Sequence, residues 1–208
     1  MSKVTYWVFI LWGIATLTLP STAMAQEGPT AQVKATVDRV LNILKDPTLK
    51  NAKKEEQRRT RLREVIYPRF DFTEMAKRSL GVHWRDRTSQ EREEFVRLFA
   101  ALVEHSYYKK LDSYADEKID YTSEEVDTKF AIVGTKIVNE KERLDIPIAY
   151  KLIRRDGEWK IYDVMVEDVS MVSNYRSQFN SIIQTSSYAE LVRKMQFKQD
   201  VEKLPGPR

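Results

Sequence analysis

The spacing of apolar residues switches from three-and-four to two at about Lys118 and back again after Glu167. That double switch confines the chain to helices, then an antiparallel meander, then helices. In the middle stretch Phe130 to Val138 reads as a strand, Leu144, Ile146, Ile148, Tyr150 and Leu152 alternate strictly, and Trp159 to Val166 returns as the partner strand. Asp156-Gly157 supplies a tight hairpin turn between the last two. With a first strand from Lys118, about four strands follow, in an α+β layout with helices gathered on one face of the sheet. The return strand sets a problem. Strict alternation puts Trp159, Ile161 and Met165 on one side and Tyr162, Val164 and Val166 on the other, so both faces want apolar cover. Helices on both sides satisfy that pattern, and so does a cavity on one side.

The flanking helices announce themselves by stripes and caps. Val33, Val37, Val40, Leu41 and Leu44 form one stripe over residues 31–45, ended by Pro47. A second helix, about Ala52 to Tyr67, carries Lys53, Lys54, Arg58, Arg59, Arg61 and Arg63 and leaves Leu62, Val65 and Ile66 for burial. Its basic run is a solvated face, or else a docking surface for anionic lipid or a partner. Asp71-Phe72-Thr73-Glu74 is a capping sequence for a short helix that Gly81 closes in the left-handed conformation. Thr88-Ser89-Gln90-Glu91 is a fuller capping box, and Phe95, Leu98, Phe99, Leu102 and Ser106 continue one face of the long helix behind it. After the strands, Val169, Val172, Tyr175, Arg176, Phe179, Ile182 and Ile183 lie at helical spacing, and Tyr188, Leu191, Val192 and Met195 make a last amphipathic piece.

The N-terminus has the grammar of an export signal. Lys3 precedes an uncharged, mostly apolar run from Tyr6 to Leu19, and Ala23-Met24-Ala25 is the small-x-small pattern cut by signal peptidase. The run is shorter than the roughly 20 residues of a membrane-spanning helix. Residues 1–25 are therefore expected to be a cleaved signal peptide and residues 26–208 a single domain with a helical N-terminal part. The absence of Cys rules out a lipid-modified cysteine and disulfide staples, so the exported chain has to close its own core. A net charge of +4 permits an anionic membrane or protein partner and does not call for nucleic acid.

Catalytic and metal chemistry find little footing. The 2 His, His83 and His105, stand too far apart for a metal-ligand pair, no Gly-x-Ser-x-Gly elbow occurs, and 6 Gly build no phosphate loop. The one enzymatic alternative is a general base, Asp163 or Glu167, at the end of an otherwise apolar strand.

Three ordered blocks carry a family resemblance: Phe70-Asp71-Phe72 with Leu80-Gly81-x-x-Trp84, the hairpin Asp156-Gly157-Glu158-Trp159-Lys160-Ile161-Tyr162-Asp163-Val164, and Val166-Glu167-Asp168-Val169-Ser170-Met171-Val172-Ser173-Asn174-Tyr175-Arg176-Ser177-Gln178-Phe179. Together they resemble the MlaC-type, or toluene-tolerance, family of periplasmic phospholipid-binding components of an ABC transport system. Asp168 departs from the pattern, standing where a small residue, usually Gly, is expected. The resemblance implies an NTF2-like fold, a curved antiparallel sheet wrapped by N-terminal and C-terminal helices around an apolar cavity that takes acyl chains. It implies a periplasmic carrier that is not an enzyme, has no cofactor, and carries phospholipid as cargo between an outer-membrane lipoprotein complex and an inner-membrane ABC transporter with its membrane-anchored substrate-binding subunit. Maintenance of outer-membrane lipid asymmetry would be the outcome, and a monomer suits a shuttle. The lipid-contacting residues expected from the matched blocks are Phe72, Met75, Leu80, Trp84, Phe99, Ile148, Tyr150, Val164, Val166, Val169, Met171, Val172, Tyr175 and Phe179. Arg176 is the expected head-group residue, unless it pairs with Glu167 or Asp168.

Overall fold

A computed structural model describes residues 27–113, 117–139 and 144–197; the expected signal peptide and the Pro205 to Pro207 tail lie outside them. The first helix, α1, spans Pro29–Lys45 and starts on Pro29, whose missing N–H costs nothing in a first turn. It stops where expected, and the Asp46 carboxylate then accepts from Thr48 N to cap a single turn, Pro47–Leu49. Helix α2, Glu55–Ile66, buries only Leu62 and Val65. Helix α3, Phe72–Leu80, is capped by the Asp71 carboxylate, which accepts from Glu74 N at 2.8 Å. Gly81 ends it at φ 59°, but ψ is −128°, outside the compact left-handed well, because the chain runs straight on into another single turn, Gly81–Trp84. Helix α4, Ser89–Ser113, opens on a reciprocal box: Thr88 N donates to Glu91 Oε2 (2.8 Å) and Glu91 N to Thr88 Oγ1 (3.2 Å).

Five strands follow in the order β1-β2-β3-β4-β5, all antiparallel: β1 (Lys118–Val126), β2 (Phe130–Asn139), β3 (Leu144–Arg155), β4 (Glu158–Val166) and β5 (Val169–Ser170). The fifth is a two-residue piece that no periodicity could reveal. Helices α5 (Met171–Thr185) and α6 (Tyr188–Gln196) complete the α+β fold. Asp156 and Gly157 turn the β3–β4 hairpin with positive φ, 48° and 87°, as an Asp-Gly hairpin should. Glu167 and Asp168 do the same between β4 and β5, at 49° and 62°. The chain thus makes, with two acidic residues, a turn for which Gly is better suited.

Two register shifts resolve the problem posed by the return strand. Lys151 pairs with Asp163 but Leu152 with Ile161, so Tyr162 is an extra residue on β4. A bulge exchanges the faces of everything beyond it. Val164 and Val166 therefore join Trp159 and Ile161 on one face, opposite Tyr150, Ile148 and Leu152 of β3 and in line with Ala131, Val133 and Ile137 of β2. On β1 the extra residue is Thr122, which keeps Ile119 and Tyr121 on that face. Gly134 faces this bulge; a Cβ there would collide with the Ser123 hydroxyl.

Three apolar clusters organise the interior. Helices α3, α4, α5 and α6 bury Met75, Leu80, Phe95, Phe99, Leu102, Val172, Tyr175, Phe179, Leu191 and Met195 against one another. The Phe99–Tyr175 and Phe95–Phe179 rings meet edge to face, at 5.4 and 5.7 Å between centroids. A second cluster joins Val33 of α1 to Ala131, Val133, Leu152, Trp159 and Ile161 of the sheet, and a third joins Leu44, Leu62 and Tyr108 where α1, α2 and α4 meet. Gln32 pins α1 to the sheet: its Oε1 accepts from Trp159 N (3.1 Å) and Arg69 Nη1 (2.6 Å).

Candidate functional site

The first two clusters touch through Phe70 and Val164, but the three do not fill the interior. Between them lies a cavity of about 430 Å³, within the range of small-molecule sites. Its sheet wall is the single apolar face that the bulges create: Ile119, Ile137, Ile148, Tyr150, Ile161, Val164 and Val166. The α1 stripe, Val33, Val37, Val40, Leu41 and Leu44, forms the facing wall. Leu62 and Ile66 of α2, Phe70 and Phe72 behind it, Val103, Tyr107, Tyr108 and Leu111 of α4, and Met171 complete the enclosure. Branched aliphatic side chains dominate, and their stiffness keeps them from swinging into the gap. Burial raises the phenols of Tyr107 and Tyr150, so both stay neutral in this wall.

Charge is confined to the rim. Glu104 of α4 takes a two-pronged contact from Arg63 of α2, Nε to Oε2 and Nη2 to Oε1, each 2.8 Å. Tyr67 OH donates to the same Oε2 at 3.1 Å, and Arg59 Nε lies 3.4 Å from Oε1. Burial alone would raise the Glu104 carboxyl. The hydrogen bonds and charge of Arg63, helped by Tyr67 and Arg59, outweigh it and hold the group below the usual carboxylate range. The bond to Glu104 in turn raises Arg63, and burial with the Glu104 charge pushes the Tyr67 phenol up to about 12. The Arg59 guanidinium lies over the Tyr108 ring, 4.5 Å from its centroid. Of the expected basic run, Arg59 and Arg63 thus face the rim, while Lys53 and Lys54 stay in solvent.

Of the residues expected to meet lipid, Phe72, Ile148, Tyr150, Val164, Val166 and Met171 line the cavity. Met75, Leu80, Phe99, Val172, Tyr175 and Phe179 stand instead in the four-helix cluster, since the apolar stripe of α3 faces α5 and α4 rather than the sheet. Trp84 packs on the outside of that cluster beneath the Arg92 guanidinium, and Val169, on the short edge strand, is 44% exposed. Arg176 is also away from the cavity and pairs with neither Glu167 nor Asp168. Its Nε donates to the carbonyl of Arg78 at 2.7 Å, answering an orphan acceptor in the last turn of α3. His83 Nε2 shares a hydrogen bond with Asn180 Oδ1 (2.9 Å), which ties the turn after α3 to α5.

Asp163 has a structural occupation. Ser170 Oγ donates to its Oδ2 (2.6 Å) and Val172 N to its Oδ1 (3.1 Å), so the carboxylate holds the first turn of α5, where negative charge is favoured. It is buried and does not line the cavity, whereas Glu167 lies on the rim, exposed. Among the described residues no group of three or more His, Cys, Asp or Glu is placed to hold a metal ion, and no helix is long and apolar enough to cross a membrane.

The α1 stripe, the end of α4 and the strand positions Ile119 and Ile137 supply half the lining without having been expected there. They lie largely outside the three blocks that carry the resemblance. The signal was nonetheless present, in the run of branched aliphatic residues along α1.

Comparison with known proteins identifies the family and the fold. The intermembrane phospholipid transport system binding protein MlaC of Haemophilus influenzae is 25% identical over 195 residues, which cover 91% of each chain. The phospholipid-binding protein from Ralstonia solanacearum, solved in complex with a phospholipid, superposes with a TM-score of 0.71 at 23% identity, over 84% of this chain and 97% of that one, and so shares the fold. The family model described as MlaC protein matches residues 34–197, from the α1 stripe to the end of α6. The chain belongs to the MlaC protein family.

Proposed function

We propose that this protein is a non-enzymatic carrier that holds phospholipid acyl chains in the cavity between α1, α2, α4 and the sheet and ferries them across the periplasm. The observation that carries the reading is an unfilled, aliphatic-walled space of about 430 Å³ in a chain of the MlaC family whose charges stop at the rim. A methylene withdrawn from water gains about 0.8 kcal/mol, so sheltering a chain of some 15 methylenes is worth roughly 12 kcal/mol relative to water and little relative to a bilayer. Loading and unloading are then nearly balanced, and direction comes from partners: an outer-membrane lipoprotein complex at one end, an inner-membrane ABC transporter with its membrane-anchored subunit at the other. Cleavage after Ala25 delivers residues 26–208 to the periplasm as one monomeric lipid-binding unit, and lipid asymmetry of the outer membrane is what the traffic maintains.

Gentle purification, solvent extraction and mass spectrometry test this directly. Stoichiometric phospholipid is the expected result. Protein that is folded yet repeatedly free of lipid, and that takes none from vesicles, overturns the proposal.

A further inference from the structure

The rim contains a donor without an acceptor. Arg59 Nε is buried and makes no hydrogen bond among the described residues; the nearest anion, Glu104 Oε1, stands 3.4 Å away and is already engaged by Arg63. The Arg59 guanidinium also lies 4.5 Å from the Tyr108 ring centroid, so the group is positioned but its Nε is unsatisfied. Such a donor at the edge of an apolar cavity is costly unless an acceptor arrives from outside. Two guanidiniums, Arg59 and Arg63, also share the one carboxylate of Glu104 on the cavity side, while the second acid near Arg63, Glu56, is 73% exposed and on the solvent side. The rim facing the cavity therefore carries one positive charge in excess, in the geometry that suits an oxyanion.

We infer that Arg59 and Arg63 form an anion subsite for the phosphate of a bound lipid, with Glu104 as the internal anion that occupies it when no phosphate is present. The inference rests on the carrier reading and names the recognition element of the same cavity. A phosphodiester supplies one negative charge and two free oxygens, enough to complete Arg59 and to share Arg63 with Glu104. An uncharged diacylglycerol with the same chains fills the cavity but leaves Arg59 unanswered.

Delipidated protein loaded from vesicles containing equal amounts of phosphatidylglycerol and diacylglycerol of identical chains, with bound lipid quantified by mass spectrometry, tests the assignment. Wild-type protein favours phosphatidylglycerol. Arg59→Gln lowers that preference about tenfold, the worth of one charge-assisted hydrogen bond. Glu104→Gln acts in the opposite direction and raises the preference, which a merely structural role for the rim would not produce. Equal preference in wild type and both variants overturns the subsite and leaves the carrier reading standing; failure of all three proteins to take up either lipid overturns the carrier reading itself. Inorganic phosphate titrated into the delipidated protein separates the two sources of the anion. Saturable binding that Arg59→Gln removes, beside a lipid preference that Arg59→Gln leaves unchanged, assigns the site to free phosphate and overturns the head-group inference. No saturable binding beside an intact lipid preference supports it.

Discussion

Glu104 shows how one side chain can be a cost and a support at once. Its burial is unfavourable, yet three donors from α2 and the turn behind it converge on it, so it ties α2 to α4 across the mouth of the cavity. Glu104→Gln should destabilise the protein by about 1–2 kcal/mol at neutral pH, since it strips the charge from hydrogen bonds to Arg63 and leaves two guanidiniums facing each other. The sign with pH follows from the lowered carboxyl. Its stabilisation is complete above the ordinary carboxylate value of 4.5 and is lost as pH falls through the lower value of the folded state. The gap between wild type and variant, measured by urea unfolding at a series of pH values, should therefore be constant above about pH 5 and shrink below it. Asp168 is the complementary case, a residue in a conformation that its side chain opposes. At φ 62° it pays part of the 1–2 kcal/mol that left-handed backbone costs an L-residue, reduced because Asp tolerates that region. Asp168→Gly should raise stability by about 0.5 kcal/mol after the entropy of the unfolded glycine is subtracted, seen as a small increase in melting temperature.

The elements themselves were legible wherever a local rule governs them. Capping sequences at Asp71 and Thr88, the Pro47 stop, and the Asp156-Gly157 turn all depend on neighbours within four residues, and each stands in the structure where the rule puts it. What alternation misread was β4, because a bulge is set by pairing with β3 rather than by β4's own residues. The extra residue, Tyr162, is held on the far side of the strand by the Arg78 guanidinium 4.3 Å from its ring and by an edge-to-face contact with Phe130. Those partners are distant in sequence, so the face assignment of Val164 and Val166 was not readable along the chain. Deleting Tyr162 outright should restore strict alternation, turn both valines away from the cavity, and misplace Asp163 from the first turn of α5. Loss of cooperative unfolding by circular dichroism is the expected result. Tyr162→Ala keeps the residue count and hence the register, so it should cost only about 1–3 kcal/mol and still unfold in one transition. If the deletion behaves like the alanine variant, the bulge does not set the cavity wall.

At the scale of the whole molecule the apolar residues do two different jobs that sequence pattern alone could not separate. Tyr175 and Phe179 on α5 and Val37 and Val40 on α1 all recur at helical spacing on an apolar stripe. The first pair packs against an aromatic ring of α4, whereas the second faces the cavity left between the three clusters. Which stripe finds a partner depends on how four helices and a twice-bulged sheet come together. The distinction can be measured because a packed site and an empty one answer oppositely to added volume. Val172→Trp, in the helical cluster where Val172 is 2% exposed, should overpack and cost about 1–3 kcal/mol. Val37→Trp puts the same bulk into the cavity, so it should leave stability unchanged or raise it by about 0.5–2 kcal/mol in the lipid-free protein. It should at the same time reduce the lipid recovered per molecule, because the indole takes space the acyl chains would use. Urea unfolding of delipidated protein and lipid analysis of the freshly purified protein, run on both variants, give two readouts that a solid interior could not decouple. A Val37→Trp protein as destabilised as Val172→Trp, with its lipid load intact, would show that α1 closes an ordinary core.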